Sequence, residues 1–211
     1  MPLIKKGAEA DLYLEEWHGL RVIVKQRSRK AYRHPRLDME IRRFRTVHEA
    51  ELLHYAKAGG VPTPTIYLID VLNTTIIMQY IIGEQVKRVL NKLDSHDRVR
   101  LSLEIGKLVG RLHQWGIIHG DLTTSNMILT PSGKIYFIDF GLGEYSTDVE
   151  ARGVDLHLMR RVLQSTHYKL VRECFPAILD GYSQILGKGV ADEVLKRIRE
   201  IEKRGRYFAE R

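Results

Sequence analysis

The apolar residues in the first third of the chain favour strands, with one long helix among them. Two short apolar runs, DLYLEEW and LRVIVKQ, are joined through His18 and Gly19, a sequence that resembles a hairpin turn. From about residue 37 to 57, apolar residues that include Phe44 recur at helical intervals, and Gly59 ends the pattern. The runs TIYLID and TTIIMQYI then indicate a second hairpin.

Beyond Gly83 the apolar spacing becomes mainly helical. The stretch DRVRLSLEIGKLVGRLHQW predicts one helix, with Val99 and Leu112 on its buried face. The runs MIL and KIYFIDF follow, and the turn sequence TPSG between them predicts a small hairpin. Three more helical patterns lie near residues 152–165, 169–186 and 191–203.

This order of elements predicts an α+β protein with two lobes. The first lobe, residues 1–82, is expected to be an antiparallel sheet with one helix. The second lobe, residues 83–211, is expected to be compact, mostly helical and to end in a basic tail. A cleft between two lobes is a common site for ligands, so we expect the functional site there.

Composition narrows the compartment and excludes some classes of protein. No apolar run approaches the roughly 20 residues that span a bilayer, and acidic residues stand near the start where a signal peptide needs an apolar stretch. The single cysteine, Cys174, excludes an internal disulfide and fits a reducing compartment. We therefore expect a cytoplasmic protein with no membrane contact.

Positive charge is concentrated in two segments. Lysine and arginine exceed aspartate and glutamate by 34 − 26 = 8. Ten basic residues lie between Arg21 and Arg45, and seven lie between Lys196 and Arg211. Such runs are often solvated helix faces, but two of them in one small chain favour a polyanionic partner such as a nucleic acid.

The stretch HGDLTTSNMILTPSGKIYFIDFG, residues 119–141, carries the chemistry. Asp121 and Asn126 lie in the loop that enters the predicted hairpin, and Asp139 lies at its exit, so the three side chains can converge. Asn126 and Asp139 offer the hard oxygen ligands that Mg²⁺ prefers. Asp121 is left as a carboxylate that can orient a hydroxyl or water and accept its proton. The neighbouring Gly120 and Gly141 are expected to permit unusual backbone turns.

HGDLTTSN and DFG resemble the catalytic loop and magnesium loop of the protein kinase superfamily. That resemblance implies that Lys25, in RVIVKQR, contacts the α- and β-phosphates of ATP. It implies that Glu49 in the long helix pairs with Lys25, with Glu51 as the alternative. Asp155, in GVDLHLM, resembles the buried aspartate that braces the catalytic loop, and His119 is expected to pack rather than act as a general base.

The same resemblance implies how ATP is held. MQYI resembles the hinge between the lobes, with Met78 as gatekeeper and the backbone of Gln79 and Ile81 meeting the adenine. KGAEADLY stands in place of the glycine-rich loop but keeps only Gly7. The implied cofactors are ATP and Mg²⁺. The implied catalytic residues are Asp121, Lys25, Glu49, Asn126 and Asp139.

Departures from the protein kinase pattern indicate a branch that lacks a peptide platform. The loop reads HGD where protein kinases usually have HRD. Leu122 and Thr123 follow, where a lysine that contacts the transferred phosphate is usual. From Asp139 to Asp155 is 155 − 139 = 16 positions, whereas ordinary protein kinases use roughly twice that and include an APE element.

Three segments are similar to the small kinase subunit of the KEOPS/EKC complex, the PRPK-type family: RKAYRHPRLDMEIRRFRTVHEAELL, DFGLGEYSTDVEARGVDLHLMRRVL and KRGR. The resemblance implies an atypical Ser/Thr kinase or ATPase that can autophosphorylate. It implies a threonylcarbamoyl-transferase subunit as partner, a second small subunit on the N-terminal lobe, and a role in modifying the adenosine next to the anticodon of tRNA. The basic tail, with Arg204 and Arg206, is expected to contact tRNA, and so compact a chain suggests an archaeal source.

Other classes stay open at this stage. Aminoglycoside and choline kinases also carry an HGD…N loop, so a small-molecule phosphotransferase is the main alternative. A non-catalytic ATP-binding scaffold, a ribosome-linked RIO-type kinase and an ordinary protein kinase are further alternatives. Serines and threonines near the loop, such as Thr123 and Ser146, are available for autophosphorylation, but the sequence does not select one.

Overall fold

Five strands and one long helix form the N-terminal part of the protein. The computed structural model describes residues 3–7 and 9–209, with the side chains of residues 5 and 205–209 outside that description. The strands form one antiparallel sheet in the order β1-β2-β3-β5-β4. The elements are β1 (Leu3–Lys6), β2 (Asp11–Trp17), β3 (Leu20–Gln26), α1 (Pro35–Ala58), β4 (Ile66–Asp70) and β5 (Thr75–Gln79).

Turn chemistry sets the boundaries of these elements. His18 and Gly19 both have positive φ, 50° and 76°, as a two-residue hairpin loop requires. Pro35 stands at the start of α1, where its missing N–H is not needed. Gly59 ends the helix, and Gly60, at φ 81°, turns the chain away from it. Both predicted hairpins and the predicted helix are therefore present, and β1 is an additional strand.

The rest of the chain is mostly helical, with several very short strands. β6 pairs with β8, β8 with β9, and β7 with β10. The elements are β6 (Glu84–Gln85), α2 (Val86–Val89), α3 (Ser95–Gln114), β7 (Ile117–Ile118), a 3₁₀ turn (Thr124–Asn126), β8 (Met127–Leu129), β9 (Ile135–Phe137), β10 (Glu144–Tyr145), α4 (Val149–Thr166), α5 (Val171–Leu186) and α6 (Lys188–Ala209).

Helices α3 and α5 pack with their backbones in contact and form the centre of this part. A Cβ added at Gly106 would lie 2.0 Å from the carbonyl oxygen of Ile178, and one at Gly181 would lie 1.9 Å from that of Leu103. This close approach turns a glycine-bearing face of α3 inward. Leu112 is fully buried, as expected, but Val99 is 38% exposed, so its predicted place on the buried face was wrong.

The observed architecture is α+β, as the sequence predicts. The division into lobes at residues 82 and 83 stays a prediction, although the chain changes from sheet to helices near that point. None of the helices in the described residues is long and apolar enough to cross a membrane.

Candidate active site

Helix α4 fixes the loop that carries Asp121. Asp155 on α4 accepts hydrogen bonds from the backbone N–H groups of His119, at 2.7 Å, and Gly120, at 2.9 Å. His113 Nε2 lies 3.3 Å from the same carboxylate, and its Nδ1 shares a 3.0 Å hydrogen bond with the Tyr182 hydroxyl. The loop is therefore held by a buried polar network.

Burial and hydrogen bonding act on the charges of two side chains at this loop. Burial alone would raise the pKa of Asp155, but the hydrogen bonds from His113 and the loop amides lower it below its usual value. Burial lowers the pKa of His119, so this imidazole is neutral, and its ring packs against Phe140 with centroids 4.4 Å apart. His119 thus has the packing position expected of it.

Gly120 has a backbone conformation that residues with a side chain rarely adopt. Its φ is +75°, and a Cβ there would lie 2.0 Å from the carbonyl oxygen of Leu142. Gly141 differs, because its φ is not in the left-handed region. A Cβ at Gly141 would instead lie 3.2 Å from Arg27 Nη2 and 3.3 Å from Asp139 Oδ1. Gly141 therefore lies in a turn, as expected, but its φ does not require glycine, and the glycine instead provides space beside the charged groups.

Asp121 and Asn126 are joined directly. The side-chain amide of Asn126 donates to the Asp121 carbonyl at 3.0 Å and to its carboxylate Oδ2 at 2.8 Å. With its nitrogen directed at Asp121, the amide leaves its oxygen Oδ1 free to face a ligand. The 3₁₀ turn that ends at Asn126 places the residue at the start of β8.

The hairpin β8–β9 brings Asp139 to the same point. The N–H of Ile138 donates to the carbonyl of Asn126 at 2.9 Å, so the two ends of the hairpin are in contact. Asp139 has a φ of 65°, an uncommon value for a residue with a side chain. Its Oδ1 lies 2.7 Å from Lys25 Nζ.

Lys25 on β3 is paired with two carboxylates. Its Nζ lies 2.5 Å from Glu49 Oε1 on α1 as well as 2.7 Å from Asp139. Burial opposes the charge, but the two carboxylates raise the pKa of Lys25 above its usual value. The pKa of Asp139, which burial alone would raise, is lowered by the same ammonium. Glu51, the alternative partner, does not contact Lys25, because its side chain is 53% exposed and points elsewhere.

Arg27 is a member of this cluster that the sequence analysis missed. Its Nη2 lies 2.6 Å from Glu49 Oε2 and 3.2 Å from the carbonyl oxygen of Arg45. Arg27 is only 4% exposed. It follows Lys25 by two positions, and residues at that spacing share a face of a strand. That spacing of two cations is the signal that could have identified it.

Two adjoining cavities open around these side chains. A polar cavity of about 330 Å³ is lined by Gly7, Arg27, Asp121 and Gly141, among others. A more apolar cavity of about 220 Å³ is lined by residues that include Met78, Gln79, Ile81 and Asn126. Lys25 and Asp139 line both cavities. Every residue that the sequence resemblance assigned to ATP or Mg²⁺ therefore borders one of them.

The basic segments are only partly free for a polyanion. In the first, Lys25 and Arg27 are buried, and Arg42 Nε lies 2.8 Å from the buried Asp38. In the second, Arg204 Nη2 lies 2.6 Å from Glu150 Oε1 on α4, with the arginine side chain 59% exposed. The side chain of Arg206 lies outside the described residues.

Comparison with known proteins identifies the family. The RIO domain matches residues 15–148. This range includes the charged residues from Lys25 to Asp139 that line the two cavities. The chain is 48% identical to KEOPS complex subunit Bud32 of Pyrococcus abyssi, over 98% of this chain and 96% of that protein. It is 39% identical to EKC/KEOPS complex subunit bud32 of Dictyostelium discoideum, over 97% of this chain and 82% of that protein.

A longer relative contains a similar segment. The probable bifunctional tRNA threonylcarbamoyladenosine biosynthesis protein of Methanothermobacter thermautotrophicus is 42% identical over 97% of this chain. The chain spans only 36% of that protein's length. These similarities cover nearly the whole chain and agree with the kinase-like arrangement of Lys25, Glu49 and Asp139. The chain therefore belongs to the RIO-domain family and, within it, to the Bud32 proteins.

Proposed function

We propose that the protein is an atypical Ser/Thr kinase or ATPase that uses Mg·ATP and works as a subunit of a KEOPS complex in the threonylcarbamoyl modification of tRNA. The observation that carries the proposal is the assembly of Lys25, Glu49 and Asp139 beside Asp121 and Asn126 at two adjoining cavities. The names of the relatives support the complex and the tRNA. None of the relatives named above is a small-molecule phosphotransferase, which disfavours that alternative.

The two cavities suit the two ends of ATP. The apolar cavity, with Met78 and Ile81 in its wall, suits the adenine. The amide of Gln79 already donates to the Thr65 carbonyl at 2.8 Å, so Gln79 would offer adenine its carbonyl. The polar cavity, with Gly7 and Lys25 in its wall, suits the phosphates.

Asp139 and Asn126 fit a magnesium ion. One carboxylate oxygen of Asp139 pairs with Lys25, and the hydrogen bonds of Asn126 leave its Oδ1 available. Both are hard oxygen ligands of the kind that Mg²⁺ shares with phosphate and water. When bound, Mg²⁺ would neutralise charge on the phosphate oxygens.

Asp121 is the base in the proposed reaction. The oxygen of a water or hydroxyl group forms a bond to the γ-phosphorus, while the bond from that phosphorus to the β–γ bridging oxygen breaks and ADP leaves. The proton of the nucleophile passes to the Asp121 carboxylate, which the Asn126 amide orients. Lys25, held by Glu49, stabilises the phosphates in position.

The length of the segment after Asp139 indicates which kind of molecule accepts the phosphate. Helix α4 begins at Val149, 149 − 139 = 10 positions after Asp139, and leaves little chain for a peptide platform. We therefore favour water or the protein's own hydroxyl groups as acceptors. The bifunctional relative is longer, and this chain matches 36% of it. The proposed partner of this chain is a separate threonylcarbamoyl-transferase subunit. A second small subunit on the N-terminal lobe and the cytoplasmic location stay predictions.

Phosphate release from Mg·ATP tests the proposal. It would be measured for the protein alone and with the transferase subunit and tRNA, beside an Asp121→Ala variant. We expect release that needs Asp121 and that increases with partner and tRNA. Phosphate transfer to an unrelated protein or to an aminoglycoside, unaffected by the transferase subunit and tRNA, would contradict the proposal.

A further inference from the structure

A groove of about 480 Å³ lies on the side of α1 that faces away from Glu49. It is lined by Glu51, Tyr55, Trp115 and Tyr145, and we call it the aromatic groove. Glu51 follows Glu49 by two positions, which is about 200° around a helix, so the two carboxylates point in opposite directions. The aromatic groove is therefore separate from the candidate active site.

The rings of the aromatic groove pack in a defined geometry, and part of each ring is exposed to solvent. Tyr55 and Tyr145 lie edge to face, with ring centroids 6.2 Å apart and planes at 72°. Trp115 packs on Gly59, where an added Cβ would lie 2.9 Å from the indole. Each of the three residues is about half exposed: Tyr55 47%, Tyr145 48% and Trp115 50%. Three apolar faces are thus presented to solvent at one place.

The charged side chain in the wall of the aromatic groove is Glu51, a carboxylate. Glu51 has a 53% exposed side chain, and its nearest basic neighbour is His48, with Nδ1 at 4.0 Å. Burial raises the pKa of Tyr145, and the Glu51 carboxylate beside it raises it further. Cation–ring contacts within the described part of the chain lie elsewhere, for example Arg33 over Tyr32. Although the chain has a net charge of +8, this carboxylate and the three aromatic faces stay available to a cation from another molecule.

We propose that the aromatic groove binds an arginine side chain supplied by a protein partner. A guanidinium group is planar, stacks on aromatic faces and pairs with a carboxylate through two parallel hydrogen bonds. A lysine ammonium matches the carboxylate but not the flat faces. The volume exceeds that of one side chain, so residues flanking the arginine also fit. This inference does not depend on the ATP chemistry proposed above.

Tryptophan fluorescence gives a direct test. The chain has two tryptophans, so a Trp17→Phe background leaves Trp115 as the reporter. Titration with N-acetylarginine amide is expected to give a saturable change. Glu51→Gln is expected to weaken binding roughly fivefold, because it removes the charge of an exposed pair. Glu40→Gln, the same change at an exposed position of the same helix, is the matched control and should not alter binding.

A second variant tests the groove without changing charge. Gly59 has an ordinary φ of −74°, so alanine suits its backbone, but the added methyl group would displace the Trp115 ring. Gly59→Ala is therefore expected to weaken arginine binding while the thermal unfolding of the protein stays cooperative. An equal response to N-acetyllysine amide or N-acetylleucine amide, or no saturable response to the arginine compound, would overturn the proposal.

The source of the arginine is tested in the assembled complex. We expect Glu51→Gln and Gly59→Ala, but not Glu40→Gln, to lower the affinity of this protein for one other subunit of the reconstituted complex. That subunit would be the arginine donor. Unchanged affinity for every subunit would overturn a protein partner as the occupant.

Discussion

Arg27 and Glu49 form a buried ion pair, with Arg27 Nη2 2.6 Å from Glu49 Oε2. The other carboxylate oxygen of Glu49 lies 2.5 Å from Lys25 Nζ. Glu49 is therefore held from both sides, and its alignment with Lys25 does not depend on a bound nucleotide. Because Glu49 pairs with both cations, its carboxylate partly neutralises the two positive charges that are buried in the cleft.

Arg27→Gln is expected to disturb both stability and ATP use. It leaves one oxygen of the buried Glu49 without its cation, which costs about 3 kcal/mol in the free energy of unfolding. The freed carboxylate also loses its fixed orientation toward Lys25, so kcat should fall. Denaturant unfolding and ATPase kinetics measure these effects. Arg36→Gln, which breaks only the exposed pair with Glu40, should change neither.

Asp139→Ala is expected to abolish Mg·ATP turnover while partner binding stays intact. The change removes the proposed magnesium ligand and one of the two carboxylates that raise the pKa of Lys25. Phosphate release and subunit affinity would be measured in parallel. Asp148→Ala removes the same charge from an exposed position nine residues along and is the control. Retained turnover in Asp139→Ala would refute the metal role.

Gly120→Ala is expected to inactivate the protein, whereas Gly133→Ala should not. Both glycines have similar positive φ, 75° and 79°, so both variants carry the same backbone cost of about 1 kcal/mol. Only at Gly120 would the new Cβ collide with a carbonyl oxygen, because nothing lies within 4 Å at Gly133. Thermal unfolding and phosphate release would separate the two. Equal behaviour would show that the loop relaxes freely.

Stability is expected to fall as the pH drops below about 6.5, partly because of His119. Burial lowers the pKa of His119 in the folded protein, so the unfolded chain binds a proton that the folded chain does not. The loss begins at the unfolded pKa and continues down to the folded one. Chemical denaturation at a series of pH values should show a smaller slope in His119→Asn. His157 and His167 have pKa values lowered in the same direction, so some slope should remain.

Replacing Arg204 and Arg206 together with alanine is expected to weaken tRNA binding and reduce its salt dependence. The salt slope should fall by about one for each tRNA phosphate that the variant no longer neutralises. Arg204 also pairs with Glu150, an interaction that a phosphate would have to replace. Filter binding at several salt concentrations checks this, with ATP affinity as a control that should not change. Lys92→Ala, which removes one positive charge from another exposed pair, provides a comparison per charge removed. An unchanged salt slope would show that the tail is not part of the tRNA interface.

Elements with local signals could be predicted from the sequence. The hairpin at His18 and Gly19 and the end of α1 at Gly59 depend on turn residues beside apolar runs. The two-residue strands β7 and β10 could not be predicted, since each exists only through a partner far along the chain. The buried face of α3 was partly mistaken because Gly106 contributes no apolar side chain, yet α5 packs directly on it.

The hairpin alone predicted that Asp121, Asn126 and Asp139 converge, and the three do lie at its two ends. The places of Lys25 and Glu49 were predicted only through the resemblance to kinases. Arg27 was missed because its role depends on the position of α1 relative to β3, which no local pattern encodes. Phe44 was counted among the helical apolar residues but is 67% exposed, because α1 covers the sheet with its other face.

The contact between Gly120 and Leu142 links two traits that separate this chain from ordinary protein kinases. An arginine at position 120 would need the carbonyl of Leu142 to move, since a Cβ would lie 2.0 Å from its oxygen. While the Leu142 carbonyl stays at this position, a residue with a side chain does not fit at position 120. Glycine, by contrast, tolerates other arrangements of the segment after Asp139. The order of change is therefore constrained: that segment has to move before an arginine can replace Gly120.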